Sequence, residues 1–375
     1  MTTAALQQAV QDLLDARVAA GAEVGVQVAV VAGGRVVVDA VSGQADPDRG
    51  TPVVPGTLFF AASAAKGVAS AVAHVLAERG LLSYDSPACD VWPELAAHGK
   101  EGITLRHVLL HSAGAPAPPY GTTVEQLCDA DHMGAAIAAM PPWWPPGSRF
   151  GYHAFTFGFL LGGIVQRTTG RPLRAWLREA ITGPAGVVED VHFGVPEAQL
   201  GRVARQVAAD RPPPAPPPGS PADRALPPAV RPDAGYANRR DVLTADIPSQ
   251  GTMSALGAAR LYAALLGHVA GARLVGADRL ATMATVMFRG HDEVMDVPTA
   301  WAFGFSPHRP GGAGSRPGST FGMTGMNGSA AYADIDSGVA VAVMRNRFDA
   351  LDMATAAEVD RLVAAAFPPR DRTGP

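Results

Sequence analysis

Lysine is nearly missing from this chain. Of 30 basic residues among 375, 28 are Arg and two are Lys, Lys66 and Lys100. Charge of either sign is scarce, since Asp, Glu, Lys and Arg make up 17% of the residues and the formal net charge is −4. The basic excess of a nucleic-acid binder is absent, and with 47% hydrophobic residues the composition is not that of a disordered chain. Two cysteines, Cys89 and Cys128, are too few for a disulfide framework and too unpatterned for a metal site; both are expected as buried thiols. No apolar stretch approaches the roughly 18 residues of a membrane span. The N-terminal run Met1-Thr2-Thr3-Ala4-Ala5-Leu6-Gln7-Gln8 has no basic region, apolar core or small-residue cleavage site, which points to a cytoplasmic protein with no membrane partner. What remains is a soluble globular chain long enough to bury a full core. A coding bias towards Arg, Ala, Gly and Pro explains the scarcity of lysine, and a lysine that survives such a bias marks a place where Arg cannot replace it.

Periodicity supplies the architecture. Leu6, Val10, Leu13, Leu14 and Val18 predict an amphipathic helix over residues 4–19, closed by Gly21. β-branched runs over 24–31 and 35–41, separated by Ala32-Gly33-Gly34, predict a hairpin. A helical period begins at Ser63, with Val68, Val72, Val75 and Leu76 on one side, and ends at Gly80. Residues 60–270 are mostly helical between Pro-rich loops. Strands return over 329–334 and 338–344 around Ile335-Asp336-Ser337, and Val359, Leu362 and Val363 mark a last helix over 354–367. The expected class is α/β (α+β): residues 1–62 and 275–375 form an antiparallel sheet carrying the terminal helices, and residues 63–274 form a mainly helical lobe. Residues 211–232 contain ten prolines, which excludes a packed helix or central strand. That segment is either a solvated linker or a semi-rigid polyproline lid beside a cleft.

Chemistry concentrates at Phe59-Phe60-Ala61-Ala62-Ser63-Ala64-Ala65-Lys66. If the helix starts at Ser63, Lys66 lies one turn on and on the same face, within reach of the hydroxyl. A serine is a weak nucleophile until a base takes its proton, and lysine is a base only when its pKa falls. Burial and the positive end of a helix both lower it, whereas Arg would stay protonated. Alone, Ser-x-x-Lys is equally a helix cap followed by a solvated lysine.

Further landmarks stand in order along the chain: Leu76-Ala77-Glu78-Arg79-Gly80-Leu81-Leu82, Ile103-Thr104-Leu105-Arg106-His107-Val108-Leu109-Leu110-His111-Ser112-Ala113-Gly114, Pro146-Gly147-Ser148-Arg149-Phe150-Gly151-Tyr152-His153-Ala154, the helix over 158–170, Asp246-Ile247-Pro248-Ser249-Gln250-Gly251, and Phe321-Gly322-Met323-Thr324-Gly325-Met326-Asn327-Gly328-Ser329. With Ser63-Ala64-Ala65-Lys66, these make the chain resemble the serine β-lactamase, penicillin-binding-protein and carboxylesterase superfamily, in particular its class C and esterase branch. The resemblance implies a five-stranded type of antiparallel sheet with a helical lobe. It also implies that Ser63 is the acylated nucleophile, Lys66 its proton partner and Tyr152 a shuttle towards the leaving group. The backbone N–H groups of Ser63 and Met326 would form the oxyanion hole. Gly325 would be small so that an acyl group can lie along the strand edge beside Thr324.

Two positions depart from the family. Met323 stands where relatives commonly carry a cation that reads a substrate carboxylate or tunes the tyrosine, and methionine does neither. Tyr152-His153-Ala154 replaces Tyr-x-Asn, removing the amide that would hold a β-lactam side chain. Both shift the expectation from β-lactams to esters. His153 either restores some polarity or points into the helical lobe; His111 is expected as a structural histidine near the site. Trp143 and Trp144 either wall an apolar acyl pocket or pack in the core. His74, His98, His107, His132 and His192 lack metal-ligand spacing, so no metal is expected, and no cofactor. Lys100, in Gly99-Lys100-Glu101, is expected on the solvated surface. The reading is a serine hydrolase acting on a small-molecule acyl donor. The alternatives are transfer of the acyl group to an alcohol or amine acceptor in secondary metabolism, an inactive ligand-binding relative, or a true β-lactamase.

Overall fold

The computed structural model describes residues 1–210, 214–269, 273–312, 316, 318–350 and 352–369. Helix α1 (Thr3–Ala19) starts where the Thr2 hydroxyl accepts from the Ala5 N–H, and the chain reverses at Gly21 with φ +71°. Strands β1 (Gly25–Ala32) and β2 (Arg35–Asp46) form the expected hairpin, and both turn glycines, Gly33 and Gly34, have positive φ. The late strands are β6 (Thr320–Thr324), β7 (Ala330–Asp334) and β8 (Val339–Arg345), followed by α5 (Ala354–Ala366). They join the early pair in one antiparallel sheet of order β6-β7-β8-β1-β2-β3, where β3 is Thr51–Pro52. The sheet thus has six strands rather than five: the chain turns back after Asp46, and the two-residue β3 adds an edge that tolerates a proline.

Strand alternation sends two different residue sets to the two faces. Val26, Val28, Val30, Tyr332, Val341 and Val343 meet Leu6, Val10 and Leu14 of α1 and Val359 and Val363 of α5. The opposite face presents small residues, Ala29, Ala331, Ala333, Ala340 and Ala342. That flat alanine surface admits helix α4 (Ala255–Leu265), itself rich in alanine, against β1, β7 and β8. Beside it runs α2 (Ala64–Glu78), buried from Ala64 to Leu76, and beyond that lies α3 (Thr156–Thr169) in the helical lobe. A second hairpin, β4 (Val286–Asp292) with β5 (Val297–Ala302), stands apart from the main sheet and was not foreseen in the sequence. Among the described residues no helix is long and apolar enough to cross a membrane.

The Pro-rich segment is not a free linker over its described part; residues 211–213 lie outside the described residues. Pro221–Ala225 forms a short helix after all, with proline in its first turn where no N–H is required, and Ser220 caps it. Asp223 is buried and gathers the Arg231 guanidinium at 2.7 Å, the Tyr120 hydroxyl at 3.0 Å and the Gly219 N–H at 2.9 Å. Ala225 packs with Trp144 and Val294, and Arg224 lies over the Trp143 ring at 4.1 Å. Both cysteines are unpaired and half-buried rather than fully buried.

Lys100 corrects the expectation most sharply, because it is fully buried instead of solvated. Its ammonium donates to the carbonyls of Ala97 and Ala138, each at 2.9 Å, and to that of Met140. The local chain is bent to allow this, with His98 at φ +61°. Three donors meet three acceptors, so the charge is sheltered without a carboxylate. Arg, with a planar fork of five donors, does not fit such a trigonal cage. Lys100→Met should lower the unfolding free energy by roughly 2–4 kcal/mol, because three carbonyls lose a charged donor at once. Lys100→Arg should also destabilise. Urea denaturation checks both, and a wild-type midpoint in Lys100→Met would show that the cage does not need the ammonium.

Candidate active site

The site begins with a short extended piece. Phe59–Phe60 pairs with Thr252–Met253, and the Ala61 N–H donates to the Gly251 carbonyl at 2.8 Å. Ala62 then adopts φ +46°, a left-handed conformation that costs a non-glycine residue roughly 1–2 kcal/mol. This sharp turn delivers Ser63 to the N-terminus of α2 with helical φ and ψ, and its hydroxyl makes no capping hydrogen bond. The helix-cap reading of the serine therefore fails. The hydroxyl is left for chemistry.

One turn along, Lys66 is 1% exposed, enclosed with Ala64, Ala65, Val68 and Ala69. Its Nζ lies 3.0 Å from Ser63 Oγ and donates to the Ser249 carbonyl at 2.9 Å. Burial alone pulls the Lys66 pKa down to about 7, since no carboxylate faces the ammonium to stabilise it. At that value a substantial fraction is neutral amine at physiological pH. The Ser249 carbonyl orients the amine by taking one N–H, which leaves the lone pair for the serine proton.

Tyr152 completes the group. Its ring lies 5.1 Å from Lys66 Nζ, and Ser63 lies near enough to its hydroxyl to favour the phenolate slightly. Burial pushes its phenol pKa well above the ordinary value, with a smaller push from the Asp292 carboxylate, so it stays protonated. The two titratable groups around Ser63 are thus driven in opposite directions, the pattern of a base paired with an acid. His111 supports the loop from behind: fully buried, it accepts from the His153 N–H at 3.0 Å and lies 4.8 Å, 5.0 Å and 4.7 Å from the rings of Tyr152, Phe157 and Trp301. Burial holds it neutral.

The turn after β6 lies against the nucleophile segment. A Cβ on Gly325 would run into the Ala61 carbonyl oxygen and reach within 2.8 Å of Asn327 Oδ1. Gly325 is therefore small for a reason that the sequence did not show: backbone occupies the place of its side chain. Asn327 Nδ2 donates to the Phe60 carbonyl at 2.8 Å and fastens the turn there. Ser63, Tyr152, Ala154, Thr324 and Met326 are the partly exposed residues of their segments, and the backbone N–H groups of Ser63 and Met326 donate to no acceptor among the described residues.

Other candidates lie elsewhere. His153 is fully buried; Nδ1–H donates to the Gly151 carbonyl at 2.6 Å and Nε2 accepts from the Ala115 N–H at 3.2 Å, so both ring nitrogens are used within the helical lobe. Met323 packs with Phe150 and Trp301. Trp143 and Trp144 line a cavity of about 420 Å³ with Arg149, Arg224 and Glu293, and that lining includes neither Ser63 nor Lys66. Sequence reading missed the Ser249 carbonyl, Asn327 and Asp292. The first two lie inside landmarks already noted, whereas a single acid in an unforeseen hairpin carries no sequence signal. Among the described residues no group of three or more His, Cys, Asp or Glu could hold a metal.

With Lys66 as the base, acylation should rise with pH and reach half its plateau near pH 7, because only the neutral amine accepts the serine proton. Stopped-flow acylation by an activated ester measures this, and a flat profile from pH 5 to 9 would remove Lys66 from that role. Gly325→Ala should lower the acylation rate at least tenfold, because the clash moves the Met326 N–H away from Ser63.

Comparison with known proteins places the chain in a family. The chain is 30% identical over 345 residues to the esterase/beta-lactamase LipL of Mycobacterium tuberculosis, covering 85% of this chain and 76% of that one. Its structure superposes on a family VIII carboxylesterase with TM-score 0.85 and 30% identity, covering 95% of this chain and 97% of that one. A penicillin-binding protein homologue from Caulobacter crescentus gives TM-score 0.85 and 31% identity over 96% and 98% of the two chains. The beta-lactamase family model matches residues 10–365. A fold shared with serine hydrolases thus runs along nearly the whole length, and the chain belongs to the beta-lactamase family.

Proposed function

We propose that the protein hydrolyses a carboxylic ester of a small molecule through an acyl-Ser63 intermediate. The observation that carries this reading is the buried, uncompensated Lys66 amine 3.0 Å from Ser63 Oγ. Ser63 Oγ attacks the ester carbon and its proton passes to Lys66 Nζ. The resulting oxyanion is held by the N–H groups of Ser63 and Met326. Tyr152, kept protonated, gives its proton to the leaving alkoxide and recovers one from the Lys66 ammonium. Water then attacks the acyl-enzyme with the same groups in reverse.

The substrate class follows from what the site lacks. Met323 and Ala154 offer neither a cation nor an amide, so the carboxylate of a β-lactam would be desolvated without a partner, a cost that a neutral ester avoids. The family VIII carboxylesterase, named for ester chemistry, supports the same choice, while LipL is named for both esterase and beta-lactamase activity. A second reading, transfer of the acyl group to an alcohol or amine, uses the same acyl-Ser63 intermediate and differs only in the acceptor.

Incubation with a fluorophosphonate and mass spectrometry should place the adduct on Ser63; labelling at another residue would overturn the mechanism. Turnover of p-nitrophenyl butyrate should vanish in Ser63→Ala and fall at least 100-fold in Lys66→Arg, since Arg accepts no proton. Nitrocefin should be turned over far more slowly than the ester, and equal efficiency would contradict the role assigned to Met323 and Ala154. Added alcohols or amines that divert the acyl-enzyme faster than water would favour transfer.

A further inference from the structure

The β4–β5 hairpin reaches the tyrosine loop at several points at once. Asp292, at the end of β4 and 4% exposed, accepts with a single oxygen, Oδ1, from the Tyr152 N–H at 3.1 Å, the Val294 N–H at 2.9 Å and the Met295 N–H at 3.0 Å. The next residue, Glu293, donates its N–H to the Phe150 carbonyl at 3.0 Å. Phe288 stacks on Phe150 with centroids 4.8 Å apart, and Trp301 of β5 lies 6.0 Å from the Tyr152 ring while its indole N–H donates to the Leu109 carbonyl at 3.1 Å. Met323 joins Phe150 and Trp301 in this apolar cluster.

We propose that Asp292 is a positioning residue for Tyr152, fixing the loop through its main-chain N–H and holding the phenol in its protonated, proton-donating form through its negative charge. This rests on the acyl-serine reading above. A carboxylate held by two N–H groups of its own turn is geometrically fixed, so the tyrosine main chain that donates the third N–H cannot drift from Ser63 without breaking its bond to the hairpin tip. The groups facing Tyr152 are the Lys66 amine, neutral His111, Ser63 and Asp292. Of these Asp292 is the acid, and its nearness adds to the burial that disfavours phenolate. In the acylation half-reaction this leaves Lys66 to take the serine proton and Tyr152 to deliver one to the leaving group.

Two variants separate geometry from charge. Asp292→Asn keeps an acceptor for the Tyr152 N–H and removes the charge, whereas Asp292→Ala removes both. In Asp292→Ala, kcat for p-nitrophenyl butyrate should fall at least tenfold with KM changed less than about threefold, and Asp292→Asn should restore most of it. Ultraviolet difference titration of each protein against its Tyr152→Phe counterpart follows the phenol directly and needs no turnover. The Tyr152 pKa should drop by about one unit or more in Asp292→Asn. Wild-type kcat in Asp292→Ala, or an unmoved Tyr152 titration in Asp292→Asn, would overturn the proposal. If Ser63 fails to take up a fluorophosphonate in the parent protein, the acyl-serine reading falls while the titration still tests the Asp292–Tyr152 coupling on its own.

Discussion

An amine three residues from a serine is a useful base only when it is kept from water and given no counter-charge. Most of what surrounds Lys66 satisfies that one constraint. Helix α2 is alanine-rich and buried from Ala64 to Leu76, so it can sit between the sheet with α4 on one side and the helical lobe on the other. The one polar contact besides Ser63, the Ser249 carbonyl, orients the amine without an ion pair. An Asp or Glu in that place would have held the ammonium charged and removed the base. The chain does pair buried cations with carboxylates elsewhere, as in Arg345 with Glu23 at 2.9 Å, so the absence of a partner at Lys66 is a local property of the site.

The second requirement is convergence of segments distant in sequence. Ser63 comes from the turn at Ala62, the Met326 N–H from the turn after β6, and Tyr152 from a loop in the helical lobe. Each is tied down by main chain: Gly325 against the Ala61 carbonyl, Asn327 on the Phe60 carbonyl, Tyr152 N–H on Asp292. Main-chain ties leave the side chains facing the cleft free to vary. This is how Met323 and Ala154 can depart from the expected pattern while Ser63, Lys66 and Tyr152 stay together.

The two lysines show how far a sequence alone can be read. Both survive a composition that otherwise uses Arg, and both prove to be buried amines that a guanidinium cannot imitate. Only Lys66 was legible, because its spacing from Ser63 names its partner. Lys100 looked like surface, since its neighbours are Gly99 and Glu101, and its three acceptors come from carbonyls as far along the chain as Met140. The Pro-rich segment was ambiguous for a similar reason. Its composition forbids long regular structure but says nothing of the Asp223, Ala225 and Arg224 contacts that dock it.

By itself the sequence determined the elements with a strong local period, the terminal helices and the sheet hairpins, and its ordered landmarks singled out Ser63, Lys66 and Tyr152, which the fold brings together. These are properties of side-chain type and short-range spacing, which periodicity and helix geometry translate directly. Only the tertiary structure decided that Lys66 is dry and near neutrality, that Gly325 yields to a carbonyl, that His153 is spent inside the lobe and that Asp292 holds the tyrosine. Each depends on which backbone groups from remote segments come within hydrogen-bonding distance. Every residue carries the same donor and acceptor on its main chain, so nothing in the residue types announces which of them will meet.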